Sequence, residues 1–139
     1  MNVSPSWSVD HIGLAVTDLD EAIATYTSRA HTTVVSRERL ESHGVELAFL
    51  NTGDTKLELL APLNPTGTLA KFLASRGPGL HHIAYKVLDI ESELSRLSSL
   101  GAQLIDTVPR AGAGKTRIAF IHPSSFHGVL TELVEYPGG

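Results

Sequence analysis

The sequence predicts an α+β fold in which two βαβββ modules share one curved, mostly antiparallel sheet around a common cleft. Three observations carry that expectation. Short alternating runs of aliphatic and β-branched residues read as strands, and they are interrupted twice by one amphipathic helix. The same order of elements occurs on either side of a Pro- and Gly-punctuated middle. Corresponding landmarks also match. His11-Ile12 answers His82-Ile83, Val16-x-Asp18-Leu19 answers Val87-x-Asp89-Ile90, and Ala48-Phe49-Leu50 answers Ala119-Phe120-Ile121.

In the first module HIGLAV (11–16) alternates as a strand does. In TDLDEAIATYTSR, Asp18 has the place of an N-cap with Glu21 three positions on, and Leu19, Ala22, Ile23 and Tyr26 recur at helical spacing. TTVVSRERL (32–40) reads as a strand, and GVELAFLNTGDTKLELLAP (44–62) as two strands around the turn Asn51–Asp54. In the middle, Thr68 to Arg76 reads as a short helix with Leu69, Phe72 and Leu73 on one side and Gly77 just past its end. The second module starts with the strand HHIAYKV. Its helix, DIESELSRLSSLG, is capped by Asp89, faced by Ile90, Leu94, Leu97 and Leu100, and ended by Gly101. AQLIDTV (102–108), TRIAFIHP and GVLTELVEY read as its remaining strands. The expectation is a single domain over residues 1–139, with modules at about 8–62 and 79–136 and a linker at about 63–78. One such module alone would have a marginal core, and two can bury a common centre.

Composition narrows the function. A net charge of −4 argues against a nucleic-acid partner. With no cysteine, disulfides, thiolate metal sites and cysteine nucleophiles are excluded. No run approaches the roughly 18 apolar residues of a membrane span. MNVSPSWSVD has no basic start or apolar core of a secretory signal, so the expected location is cytoplasmic.

Four residues stand out. Glu58, in LELLAP, and Glu132, in LTELVEY, sit inside apolar strands in equivalent places of the two modules. His11 and His82 stand at equivalent strand entrances. A buried carboxylate is costly unless a cation or charged partner meets it. Two imidazoles and two carboxylates suit a borderline divalent ion: Zn²⁺, Co²⁺, Ni²⁺, Mn²⁺ or Fe²⁺. A lone strand histidine or glutamate is usually a surface or satisfied group, and the repetition of both sets these four apart. His81 points to the other face of a regular strand. His31, His43, His122 and His127 have no repeat partners and read as turn or supporting residues.

With these ligand types and the double βαβββ order, the chain resembles the vicinal oxygen chelate (glyoxalase/bleomycin resistance/dioxygenase) superfamily, and within it the methylmalonyl-CoA epimerase family. The stretches that carry the likeness are DHIGLAVTDLDEAIATY, KLELLAPL, GPGLHHIAYKV and, most specifically, FIHPSSFHGVLTEL. The resemblance implies one divalent metal on His11, Glu58, His82 and Glu132, with Co²⁺ favoured and Zn²⁺, Ni²⁺ or Mn²⁺ as alternatives. It implies an acyl-CoA substrate, a homodimer, and epimerisation of (2R)- and (2S)-methylmalonyl-CoA by C2 proton exchange through an enediolate. Some members have Gln at the position of Glu58. For the acid/base role Glu132 ranks first and Glu46 second. Some members carry a glutamate where this chain has Leu47, and a one-residue shift moves Glu46 to the other face unless a bulge intervenes. Several relatives place a lysine for a CoA phosphate where this chain has Ser124, leaving Lys115 and Arg117 as substitutes that otherwise read as solvated surface charge. The rival readings are a glyoxalase I-type lactoylglutathione lyase with the same ligand set, an extradiol dioxygenase on a two-His, one-carboxylate triad, and a metal-free small-molecule binder of the same fold.

Overall fold

A strand that carries polar residues toward one face needs a helix to close the other. That constraint organises both halves of this chain. The structure is a computed structural model describing residues 6–138. The first five residues of the expected N-terminal reading and the last residue of the expected domain span lie outside the described residues. Two compact units are present among the described residues, His11–His81 and a second that joins residues 6–10 with residues 82–138.

The first unit contains most of β1 (Ser8–Ala15), then α1 (Leu19–Arg29), β2 (Thr33–Leu40), β3 (Val45–Asn51), β4 (Lys56–Pro62) and α2 (Thr68–Arg76). The strands lie in the order β2-β3-β4-β1, with β1 and β4 parallel and the other neighbours antiparallel. Helix α1 begins where expected, because the Asp18 carboxylate accepts the Glu21 backbone N–H at 3.0 Å. Leu19 buries against Ala48, Leu50, Leu59 and Ala61, with Ala22, Ile23 and Tyr26 packed alongside. These contacts fix which face of β3 and β4 is covered by α1. Gly77 ends α2 at a φ of +73°, a value glycine adopts without strain.

The second unit holds β5 (Gly79–Lys86, of which the part from His82 belongs here), α3 (Ile90–Ser99), β6 (Arg110–Ala111), β7 (Arg117–Ile121) and β8 (Thr131–Glu135). Its order is β5-β8-β7-β6, again with one parallel pair, β5 with β8. Asp89 caps α3 by accepting the Ser92 N–H at 3.1 Å. Ile90, Leu94 and Leu97 bury with Val87, Ala119, Ile121 and Leu133. The apolar positions thus repeat those of the first unit almost one for one. Trp7 completes this side, stacking near Tyr85 and Phe126 and donating Nε1–H to Glu93 at 2.5 Å. The Arg96 guanidinium hydrogen-bonded to Glu93 holds that carboxyl below its ordinary range, with Trp7 adding to the effect against partial burial.

Two expectations need correction. Leu100 is 70% exposed, so the buried stripe of α3 stops at Leu97. Residues 102–108 do not form a strand. Leu104 makes a single bridge to Ile121, the N–H groups of Ile105 and Asp106 both go to the Phe120 carbonyl, and the Asp106 carboxylate takes the Phe120 N–H. A side chain thus replaces a ladder carbonyl, and regular pairing resumes only at β6. There Gly112 lets the hairpin close, since a Cβ at that position would lie 2.6 Å from Ile118 Cγ2 and 2.7 Å from Thr116 Oγ1.

The α3 packing gives a direct test. Leu97→Ala should cost about 2–5 kcal/mol through lost burial and a residual cavity, whereas Leu100→Ala on the next turn should stay within about 0.5 kcal/mol. Urea midpoints at unchanged m-values report both. Equal losses would place Leu100 in the core after all.

Candidate metal centre

Each unit brings one histidine to one glutamate by the same construction. In the first, β1 and β4 run parallel with Gly13 opposite Glu58, so the glutamate stands one side-chain repeat along from His11 on the same face. His11 Nε2 lies 3.3 Å from Glu58 Oε1, and both side chains are buried. In the second, β5 and β8 run parallel with Ala84 opposite Glu132, and His82 Nε2 lies 3.0 Å from Glu132 Oε1, again buried. Sequence neighbours alternate away from this face: Leu59 and Leu133 go to the helix-covered cores.

A phenylalanine closes each pair from the antiparallel side. Phe49 is the cross-strand partner of Glu58, and its ring meets His11 edge to face with centroids 5.1 Å apart. Phe120 is the partner of Glu132 and meets His82 at 5.6 Å in the same T-shaped manner. Each imidazole is thereby held in one orientation, with Nε2 aimed at a carboxylate. In both pairs a nitrogen and an oxygen, the two donor types that borderline divalent ions accept, converge inside an apolar wall.

The other sequence candidates lie elsewhere. β3 pairs with β4 in unbroken register from Val45 to Asn51, so Glu46 shares the face of Ala48 and Leu50, which pack beneath α1. The irregularity in this array is between Val34 and Ser36 of β2. Leu47, on the face of Phe49, is buried. His81 sets its ring edge-on against Phe72 of α2, centroids 4.8 Å apart. His31 and His127 take positive φ in turns, and His43 closes a 3-10 turn at Glu41–His43. His122 caps the 3-10 turn Pro123–Phe126, accepting the Ser124 N–H on Nδ1 at 3.0 Å with Ser124 Oγ 2.8 Å from the same nitrogen. Arg117, on the α3 side of β7, is held by Glu135 and Glu91, and the Glu135 hydrogen bond is the main reason its pKa rises. Lys115 is exposed in the hairpin turn.

Residues 10–120 match the Glyoxalase/Bleomycin resistance protein/Dioxygenase superfamily. The chain is 40% identical over 130 residues to the uncharacterized protein YqjC of Bacillus subtilis, covering 94% of this chain and 93% of that one. It is 36% identical over 127 residues to the ethylmalonyl-CoA/methylmalonyl-CoA epimerase of Cereibacter sphaeroides, covering 90% and 95%. A solved structure of a variant Streptomyces coelicolor methylmalonyl-CoA epimerase in complex with 2-nitronate-propionyl-CoA matches with a TM-score of 0.90 at 35% identity, covering 94% of this chain and 95% of that one.

Proposed function

The chain belongs to the Glyoxalase/Bleomycin resistance protein/Dioxygenase superfamily, and on that premise we propose that it epimerises methylmalonyl-CoA at C2, with His11, Glu58, His82 and Glu132 together holding one divalent ion. The observation that carries this reading is the buried imidazole–carboxylate pair built identically in each unit. The four are a donor group that could hold a metal ion. The donor chemistry fits: two neutral imidazoles and two carboxylates offset the charge of a divalent cation, and the cation removes the cost of burying both acids. Co²⁺ is the ion we favour, with Zn²⁺, Ni²⁺ and Mn²⁺ as alternatives. The epimerase relatives supply the substrate class.

A bound divalent ion supplies Lewis-acid stabilisation of the negative charge that grows on the substrate's oxygens as the C2 proton leaves. Glu132 takes the C2 proton from one face of the substrate on a carboxylate oxygen, and a water or another group delivers a proton to the opposite face of the enediolate, which inverts the centre. Glu132 Oε1 lies 3.0 Å from His82 Nε2, a separation that suits two neighbouring donors of one ion. Phe49 and Phe120 pack edge-on against the two imidazoles and fix their ring planes. Glu46, second in the sequence ranking, stands on the α1-covered face, so we assign removal of the C2 proton on one face to Glu132 and not to Glu46. The resemblance to the epimerase family also leads us to propose a homodimer.

Three variants test the assignment of the proton. In D₂O, Glu132→Gln should slow deuterium incorporation at C2 of methylmalonyl-CoA by about 10²–10⁴-fold, the usual worth of a general base. Its metal content should stay near normal, because Gln keeps an oxygen for coordination. Glu58→Gln and Glu46→Gln should each retain most of the rate. Near-full exchange in Glu132→Gln would remove it from the role, and loss of exchange in Glu46→Gln would hand the role to that residue.

Metal dependence has its own readout. Dialysis against a chelator should abolish exchange, and added Co²⁺ should restore it. His82→Ala should lose tight metal binding in equilibrium dialysis. Full exchange in metal-stripped protein, or full occupancy in His82→Ala, would contradict the proposed centre.

A further inference from the structure

We propose that Arg110 binds a phosphate of the coenzyme A moiety and thereby sets substrate affinity; this rests on the acyl-CoA reading above. The argument begins with Phe120, whose ring touches His82 on one side. The Arg110 guanidinium lies over the same ring, its Cζ 6.0 Å from the centroid. Arg110 is the cross-strand partner of Ile118, two residues before Phe120, so it stands on the face that carries His82 and Glu132. It is therefore an arginine joined to the proposed centre through a single aromatic ring.

Its position is built. Asp106 accepts Arg110 Nε at 3.0 Å through Oδ1 and the Phe120 backbone N–H at 2.9 Å through Oδ2. One carboxylate thus fixes both the ring and the cation above it. Asp106 is only 14% exposed, whereas the Arg110 side chain is 43% exposed on the short edge strand β6. The contact to Asp106 engages Nε. The two terminal nitrogens form the other edge of the planar fork, the geometry that pairs with a phosphate in bidentate fashion. Gly112, which admits no Cβ, keeps β6 tight against β7 and so keeps the guanidinium over the ring.

The chemistry of the substrate selects the partner. An acyl-CoA carries its phosphates at the far end of the pantetheine arm from the thioester, so they fall toward the exposed rim of a site whose reacting end is buried. Arg110 is at such a rim. The alternatives are engaged differently: Ser124 Oγ is taken up by His122 and Gln103, and Arg117 by carboxylates on the α3 side.

The test compares methylmalonyl-CoA with methylmalonyl-pantetheine, which has the same reacting end and no phosphate. In Arg110→Ala the KM for the CoA ester should rise about tenfold with kcat within about twofold of wild type, the pattern of lost ground-state binding. The KM for the pantetheine ester should be the same in both proteins. Added salt should raise the wild-type KM for the CoA ester and leave that of Arg110→Ala nearly unchanged. Arg29→Ala, in the exposed last turn of α1, is the control and should behave as wild type. Equal losses on both esters would mean that Arg110 serves the substrate carboxylate or the fold, and an unchanged KM would mean it serves neither; either result overturns the proposal. If wild-type protein exchanges C2 protons of neither ester, the epimerase reading fails, and calorimetry with coenzyme A alone still decides Arg110. Tenfold weaker binding in Arg110→Ala supports the assignment, and equal binding overturns it.

Discussion

A carboxylate buried against an imidazole inside an apolar sheet face is the constraint on which the rest of this structure depends. Glu58 and Glu132 each occupy a place where leucine or valine would pack without penalty. Keeping the charge there requires an obligate partner, and the parallel pairing of β1 with β4 and of β5 with β8 delivers one at the same register in each unit. Parallel neighbours need a crossover, which explains why a helix follows the first strand of each module. That helix then covers the opposite face, and its buried stripe, Leu19 in one unit and Ile90, Leu94 and Leu97 in the other, seals the sheet from behind. Fold and site are in this sense one solution: the crossover that permits the His–Glu register also supplies the core.

Most of this was legible because it repeats. A single histidine at a strand entrance carries little information, and two in equivalent frames, each answered by a glutamate in an apolar strand, carry much more. Caps were legible for a local reason, since Asp18 and Asp89 act through the N–H three residues on. Where the reading failed, a long-range contact decided. Leu100 continues the helical spacing of Leu94 and Leu97, yet α3 ends there and no described residue covers it. In 102–108 the alternation suits a strand, but Asp106 spends its carboxylate on the Phe120 N–H, which breaks the ladder from within. Side-chain substitution for a backbone acceptor leaves no trace in hydrophobic periodicity.

Arg110 illustrates the same limit at the site. Its counterpart in the first unit is Lys56, whose ammonium lies 5.8 Å from the Phe49 centroid. Both phenylalanines carry a cation on their rings, but Lys56 comes from β4 and Arg110 from β6. The spatial repeat is therefore not a sequence repeat, and alignment of the two halves passes over it. The position of Glu46 could be argued from strand parity alone, and the unbroken β3–β4 register supplied what parity needed.

The central claim is that two His–Glu pairs act as one centre rather than as two separate ion pairs. X-ray absorption on Co²⁺-loaded protein, combined with metal analysis, tests this most directly. The account predicts one ion per chain, in an oxygen- and nitrogen-only shell that contains two imidazoles. Two ions per chain, or a shell with a single imidazole, would show that the pairs work apart and would contradict it.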